Sequence, residues 1–304
     1  MTEPPRQLGR GPAGRGRSVR GKVAVVTGAA SGIGRAIAEG AARRDMTVVL
    51  VDVDEERLAV VTQSLVAKGA PAYGAPCDVA NAVAVRELAA WVENEVGPTW
   101  LLVNNAGVFL PDGFLTRTAQ EWDYVLSVNL GGVVNGLRSF LPGMTTRDDG
   151  HVVNTASVDG LLTLPSSASY VASKHAVTAL SETLARELAG QGSNVGMSVL
   201  CPGAVRTDIL NSSRRRASVA IGGSTFEGAE ESGYPELDGL MEPDDVATHV
   251  FEAIGHRQFW VLTHREQYRA AIRARAEEIV AGTGPSDASV DPNFRRSAEH
   301  RTAT

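Results

Sequence analysis

Between residues 21 and 281 short apolar runs alternate with amphipathic stretches. The runs at 22–26 (KVAVV), 47–51 (TVVLV), 72–75, 100–103 (WLLV), 151–154, 195–200 and 259–262 (FWVL) are brief and mostly β-branched or aliphatic. Runs of that kind, without regular polar alternation, suit strands covered on both faces. The stretches 33–44, 55–68, 80–96, 118–143, 168–190, 243–255 and 264–281 carry helical spacing, with Pro243 near the start of one. Strict strand–helix alternation implies right-handed crossovers and predicts a doubly wound α/β fold, a seven-stranded parallel sheet with helices on both faces. No repeat or linker interrupts it, so 21–281 is expected to be a single domain.

The flanks read differently. Residues 1–20 are rich in Arg, Gly and Pro and have almost nothing to bury, which predicts a disordered arm. It is read as a solvated leader or a start assigned too early, with a regulatory or nucleic-acid-binding arm as the alternative. The stretch 282–304 is polar and turn-rich, predicting a flexible tail with the reach to fold over a neighbouring subunit's site. Residues 206–240 are rich in Gly and Ser with little helical periodicity, predicting a mobile substrate loop.

Composition narrows the function classes. With 304 residues, 43% of them apolar, the chain can bury a large core. The formal charge of −6 hides a basic arm: its five Arg and one Glu leave the body at −10. An acidic body argues against nucleic-acid binding. No run approaches the ~18–20 apolar residues of a membrane span, and the N-terminus lacks the apolar core of a signal peptide. Cys77 and Cys201 end strands on opposite flanks, so two free thiols are expected. The six histidines show no ligand spacing, and no catalytic metal is expected. The picture is of a soluble, reduced, cytoplasmic protein.

The first strand runs into Gly28-Ala29-Ala30-Ser31-Gly32-Ile33-Gly34 and then a helix. Glycines let the backbone turn sharply and approach a diphosphate, and the helix N-terminus offers free N–H donors. Asp52, 24 residues after Gly28, stands where a carboxylate accepts hydrogen bonds from an adenosine ribose. The glycine turn holds no Lys or Arg before Gly32, and residue 53 is Val, so no cation is placed for a 2′-phosphate. NAD is therefore favoured over NADP. Arg214-Arg215-Arg216 is read as a solvated loop face.

Four further segments complete a pattern. Asn104-Asn105-Ala106-Gly107 follows the fourth strand, and Asn129 lies in SVNLGG. Ser157 closes the fifth strand, with Tyr170 and Lys174 in YVASK. Pro202-Gly203 closes the sixth strand, followed by Thr207. In this order and spacing the chain resembles the short-chain dehydrogenase/reductase family, in its compact single-domain branch. The resemblance covers roughly residues 21–281 and implies a Rossmann-like fold. It also implies catalysis by Asn129, Ser157, Tyr170 and Lys174.

Tyr170 and Lys174 are i and i+4, so they share a helix face. Free tyrosine has a pKa of ~10, and a neighbouring ammonium favours the phenolate a base needs. By the resemblance, Lys174 also bonds the nicotinamide ribose, Ser157 holds the substrate oxygen, and Asn129 anchors a relay water. Gly28, Ser31, Gly32, Ile33 and Gly34 would surround the diphosphate. Asp78 and Val79 would meet adenine, and Asn105, Ala106 and Gly107 the adenosine ribose side. Pro202, Gly203, Val205 and Thr207 would border the nicotinamide, the last two clasping its carboxamide. Helices over 118–143 and 168–190, the second with small residues Ala168, Ala172, Ala176 and Ala179, would form the interface of a homotetramer or homodimer.

Substrate walls are expected from 108–115, 158–167 and 206–240. Phe109, Leu110, Leu161, Leu162 and Leu164 would make an apolar pocket, with Asp159 as its polar member, meeting a substrate hydroxyl or amine or else facing solvent in a turn. His175 is read as a packing or surface residue on the far side of its helix. The expected activity is NAD-dependent interconversion of a secondary alcohol and a ketone. The alternatives are an NADPH-dependent ketoreductase of a biosynthetic pathway and a redox-silent dinucleotide-binding sensor or scaffold.

Overall fold

The computed structural model describes residues 18–111, 113–221 and 240–292. The expected arm over 1–17, the later part of the substrate loop at 222–239 and the tail over 293–304 lie outside the described residues. Seven parallel strands form one sheet in the order β3-β2-β1-β4-β5-β6-β7. They are β1 (Val23–Thr27), β2 (Thr47–Asp52), β3 (Ala72–Pro76), β4 (Thr99–Asn104), β5 (His151–Thr155), β6 (Gly196–Cys201) and β7 (Trp260–Leu262). The chain winds outward from β1 to β3, then returns to β4 beside β1. That reversal opens a crevice at the carboxyl ends of β1 and β4, where such sheets bind ligands.

The helices follow the crossovers: α1 (Gly32–Ala42), α2 (Glu55–Ala67), α3 (Ala82–Trp91), α4 (Ala119–Leu126), α5 (Gly132–Arg147), α6 (Ala168–Gly190), α7 (Ile209–Ile221), α8 (Pro243–His256) and α9 (Arg265–Ala281). Alternate residues of β1 feed two cores. Ala24 and Val26 pack with Ile37, Val246 and Val250 from α1 and α8 on one face. Val23 and Val25 join Leu137, Phe140 and Val177 from α5 and α6 on the other. Each such aliphatic side chain stabilises the fold by roughly 1.5–3 kcal/mol when fully buried. The edge strand β3 departs from the expected two-sided burial, with Tyr73 exposed against Trp91.

Three segments differ from the sequence expectation. The stretch 118–143 is not one regular helix, because a π-helical turn at Ser127–Gly131 joins α4 to α5. Ile209–Ile221, expected to be irregular, is helical. Its buried face is made by the small residues Ser213 and Ala217, which give no apolar stripe to read. The expected loose segment from Gly282 is docked through Asp291. A short 3₁₀ turn at Asp287–Ser289 leads to Val290, which pairs with Thr163. Ser289 and Asp291 are both buried.

Candidate active site

The crevice floor is a joint between strand ends. Thr27 Oγ1 donates to Val103 O (3.3 Å) and accepts from Asn105 N (2.9 Å) and Ala106 N (3.0 Å). Asn105 Nδ2 donates to Thr27 O at 3.1 Å, while its Oδ1 accepts from Thr155 Oγ1 at 3.3 Å. The Asn105 side chain therefore ties β1, β4 and β5 together rather than reaching out of the cleft.

Above this joint the backbone is kept bare. Gly28 has φ +67°, and a Cβ there would lie 2.9 Å from Ala106 Cα. A Cβ on Gly34 would lie 2.1 Å from Gly28 O, so neither position admits a side chain. Ser31, the N-cap of α1, makes no side-chain bond to the helix, which leaves its first N–H groups as donors for an anion. These features fit a dinucleotide diphosphate. Ile33 and Val205 pack against the core, and Thr207 reaches back over Gly32. Asp52 is buried, with Oδ2 accepting from Ala30 N (3.0 Å) and Oδ1 from Asp54 N (3.0 Å). Asp78 is exposed and caps its own turn through Ala80 N, and Val79 is packed under α5 at Gly132.

The four residues expected to act together converge at the ends of β4 and β5. Lys174 Nζ donates to Thr155 O (2.9 Å), two residues before Ser157, and lies 5.6 Å from the Tyr170 ring centroid. Asn129 sits in the π turn, the kind of irregularity that often marks functional sites. Its Oδ1 accepts from Val108 N (2.8 Å), and its Nδ2 donates to Val108 O and Ser173 Oγ (both 3.0 Å). Gly107 brings these groups together: a Cβ there would be 3.3 Å from Asn129 Oδ1 and 3.4 Å from Lys174 Nζ. Phe109 packs on Tyr170 with ring centroids 4.6 Å apart. Burial pushes the Lys174 ammonium down to about 8, against the opposing pull of Cys201 and Asp159. Burial pushes the Cys201 thiol up to about 12. At the end of β6, Pro202 O accepts from Val158 N, and Gly203 lies against His264 and Tyr268.

A family model for short chain dehydrogenases matches residues 22–218. The chain belongs to that family. As a short-chain dehydrogenase it is an NAD(P)-dependent oxidoreductase. It is 31% identical over 278 residues to a CLA biosynthesis dehydrogenase/reductase of Lactiplantibacillus plantarum, covering 88% of this chain and 96% of that one. A short-chain dehydrogenase/reductase from Burkholderia phymatum, solved in complex with NAD, superimposes with TM-score 0.80 at 40% identity. That match covers 89% of this chain and 98% of the other. An alcohol dehydrogenase from Thermococcus sibiricus, complexed with 5-hydroxy-NADP, aligns with TM-score 0.66 at 28% identity, over 79% and 95% of the two chains.

Two features of this short-chain dehydrogenase correct the sequence reading. First, a cation does reach Asp52. Arg216 Nη2 lies 2.8 Å from Asp52 Oδ1, delivered by α7. Within that run Arg215, paired with Asp208, is exposed, whereas Arg214 and Arg216 are partly buried. Ser213 Oγ accepts from Phe109 N (2.8 Å), and Ala217 packs with Val108, Leu110 and Val125. The helix thus lies across the cleft from the glycine turn to the pocket wall.

Second, Asp159 is buried rather than solvent-facing in its turn. Its backbone N–H donates to Ser157 Oγ (3.1 Å), which in turn lies 3.4 Å from Asp159 Oδ2. The Asp291 carboxyl faces it from the C-terminal segment. Burial, then the neighbouring Asp291, pushes Asp159 up to about 8. His175 is half-buried, with Nδ1 3.0 Å from Val171 O of its own helix. Leu110 and Leu162 are wholly inside local cores, so of the expected apolar wall Phe109, Leu161 and Leu164 remain for the pocket. No spacing rule could have found Arg216 or Asp291, because both arrive from segments without periodic patterning. Among the described residues no group of three or more His, Cys, Asp or Glu could hold a metal ion. No described helix is long and apolar enough to cross a membrane.

Proposed function

We propose that this oxidoreductase interconverts a secondary alcohol and a ketone, with Tyr170 as general acid/base and NAD as the preferred cofactor. The observation that carries the reading is the buried Lys174 ammonium one helical turn from Tyr170 and anchored on Thr155 O. A cation held there favours the phenolate, which takes the hydroxyl proton of the alcohol. Ser157 donates to the substrate oxygen and steadies charge as it develops. Asn129 holds the relay water through the main chain of its π turn, because its amide is committed to Val108 and Ser173. The nicotinamide, when bound, supplies hydride chemistry. Phe109, Leu161 and Leu164 make the substrate walls largely apolar.

Asp52 supports NAD, since a buried carboxylate suits a ribose diol and repels a 2′-phosphate. Arg216 supports the second reading, an NADPH-dependent ketoreductase, because its guanidinium lies against Asp52 and a cation beside the ribose would suit a 2′-phosphate. We read the working unit as a homotetramer or homodimer, since Ala172 and Ala179 place small exposed residues on the outer face of α6. A cytoplasmic location is part of the same proposal. The test is turnover of a panel of secondary alcohols and ketones with NAD(H) and NADP(H), with Tyr170→Phe as control. Turnover lost in the variant with cofactor binding retained supports the reading. Equal turnover in the variant overturns it.

A further inference from the structure

We propose that Arg275 and Glu278 on α9 are positioning residues that clamp the apolar substrate wall at 161–164, Arg275 directly and Glu278 through the segment 286–291. By this clamp the C-terminal segment sets how large an alcohol the site accepts. The inference rests on the wall role proposed above for Leu161 and Leu164.

The wall follows directly on Ser157, the N-cap of the 3₁₀ turn Val158–Gly160. Packing holds its first half, since Leu162 is fully buried with Val158 and with Tyr268 and Ala271 of α9. Beyond Leu162 burial falls away: Thr163, Pro165 and Ser166 are exposed and Leu164 is half-buried. Ser166 has φ +57°, a conformation that a residue with a Cβ keeps only when its surroundings impose it. Packing alone therefore does not fix where Leu161 and Leu164 stand.

Two bonds from distant segments do. Arg275 Nη1 donates to Leu161 O at 2.6 Å, a charge-assisted bond. Asp291 N donates to Thr163 O at 3.3 Å, and Val290 pairs in parallel with Thr163. A main-chain carbonyl is thus held on each side of Leu162. The segment that holds Thr163 is itself secured to α9. Gly282, with φ +68°, ends that helix, and Ser286 then returns to Glu278. Ser286 N (3.1 Å) and Ser286 Oγ both donate to Glu278 Oε1. Ser286 Oγ also accepts from Ala288 N (3.1 Å), and Ser289 Oγ donates to Ser286 O (3.0 Å). Pro292 biases Asp291 toward the extended backbone that pairing with Thr163 uses.

Tyr268, Ala271, Arg275 and Glu278 recur at intervals of three, four and three residues, so they form one stripe of α9. Its first half packs under the wall, and its second half grips the wall and the segment that pairs with it. A wall held in this way matters only to substrates large enough to press on it. Loosening either grip therefore weakens the fit of bulky alcohols and spares small ones.

The test measures KM and kcat over a series of secondary alcohols of increasing size for wild type, Arg275→Met and Glu278→Ala. Both variants should raise KM about tenfold for the largest alcohol that wild type turns over, and less than about twofold for the smallest, with kcat for the smallest and NAD(H) affinity unchanged. A loss spread evenly over the series overturns the clamp, as does an unchanged series. Hydrogen exchange of the amides between 158 and 167 gives a readout that needs no turnover, with α1 as the internal reference. Both variants should speed exchange there and leave α1 unchanged, and unchanged exchange at 158–167 overturns the clamp. A protein that turns over no alcohol in any form, yet exchanges faster there in both variants, defeats the dehydrogenase reading and leaves the grip of α9 on 161–164 standing.

Discussion

Arg216 Nη2 and Asp52 Oδ1 are 2.8 Å apart, so the carboxylate proposed for an adenosine ribose is already engaged by α7. On the role proposed for Asp52, cofactor and α7 would compete for one acceptor. Asp52 is 2% exposed at its side chain and Arg216 25%, so the pair is only partly screened.

Arg216→Ala should therefore tighten NAD(H) binding. An ion pair of this exposure contributes about 1 kcal/mol, which corresponds to about fivefold in affinity. Calorimetry with both cofactors checks this. Loss of NADP(H) affinity with NAD(H) unchanged would instead show that Arg216 serves a 2′-phosphate.

Tyr170→Phe should lower kcat by about 10²–10⁴-fold, the usual contribution of a positioned acid/base, while leaving the melting temperature and cofactor binding close to wild type. The hydroxyl is removed, but the ring contact with Phe109 remains. Steady-state turnover beside fluorescence titration separates the two effects.

Gly34→Ala should abolish cofactor binding. The added methyl would meet Gly28 O and Asn105 Nδ2, neither of which can yield without opening the joint beneath the glycine turn. A destabilisation of about 1–3 kcal/mol is expected from overpacking at such a site, measured by denaturant unfolding.

Lys174→Met should stabilise the protein, and more so at neutral than at alkaline pH. Burial holds the ammonium down at about 8 when folded, well below its ordinary value of 10.5. Between those pH values the unfolded chain binds more protons, so wild-type stability rises with pH. The advantage of the uncharged variant therefore shrinks from pH 7 to pH 10, readable as converging melting temperatures.

Thiol titration should find two groups after denaturation without reductant, because Cys77 and Cys201 are both free. In the native protein Cys77, half-buried, reacts first. Cys201 is 2% exposed with its thiol pushed up to about 12, so it stays unreactive until unfolding.

The strands and most helices were legible because burial on two faces forces apolar runs, and β1 shows it directly: all five of its residues are buried. The glycine turn and the Tyr170–Lys174 spacing were legible because sterics and helix geometry leave few choices there. α7 was not, since Ser213 and Ala217 bury it without an apolar stripe. Asp159 could be singled out as the odd polar residue, but its character depends on Asp291, which only tertiary structure brings near. The structural part played by Asn105 was not legible either, because only tertiary structure shows its side chain joining three strand ends.

Because α7 touches Asp52 at one end of the cleft and packs its Ala217 against Val108 and Leu110 at the other, no change in it is local. On the roles proposed above for Asp52 and Phe109, a substitution in α7 selected for a new cofactor would also disturb the wall residue whose N–H Ser213 holds, and the reverse holds. Evolution of this enzyme toward either goal must therefore move along both axes together, and libraries that randomise α7 should be screened against pairs of ligands rather than one at a time.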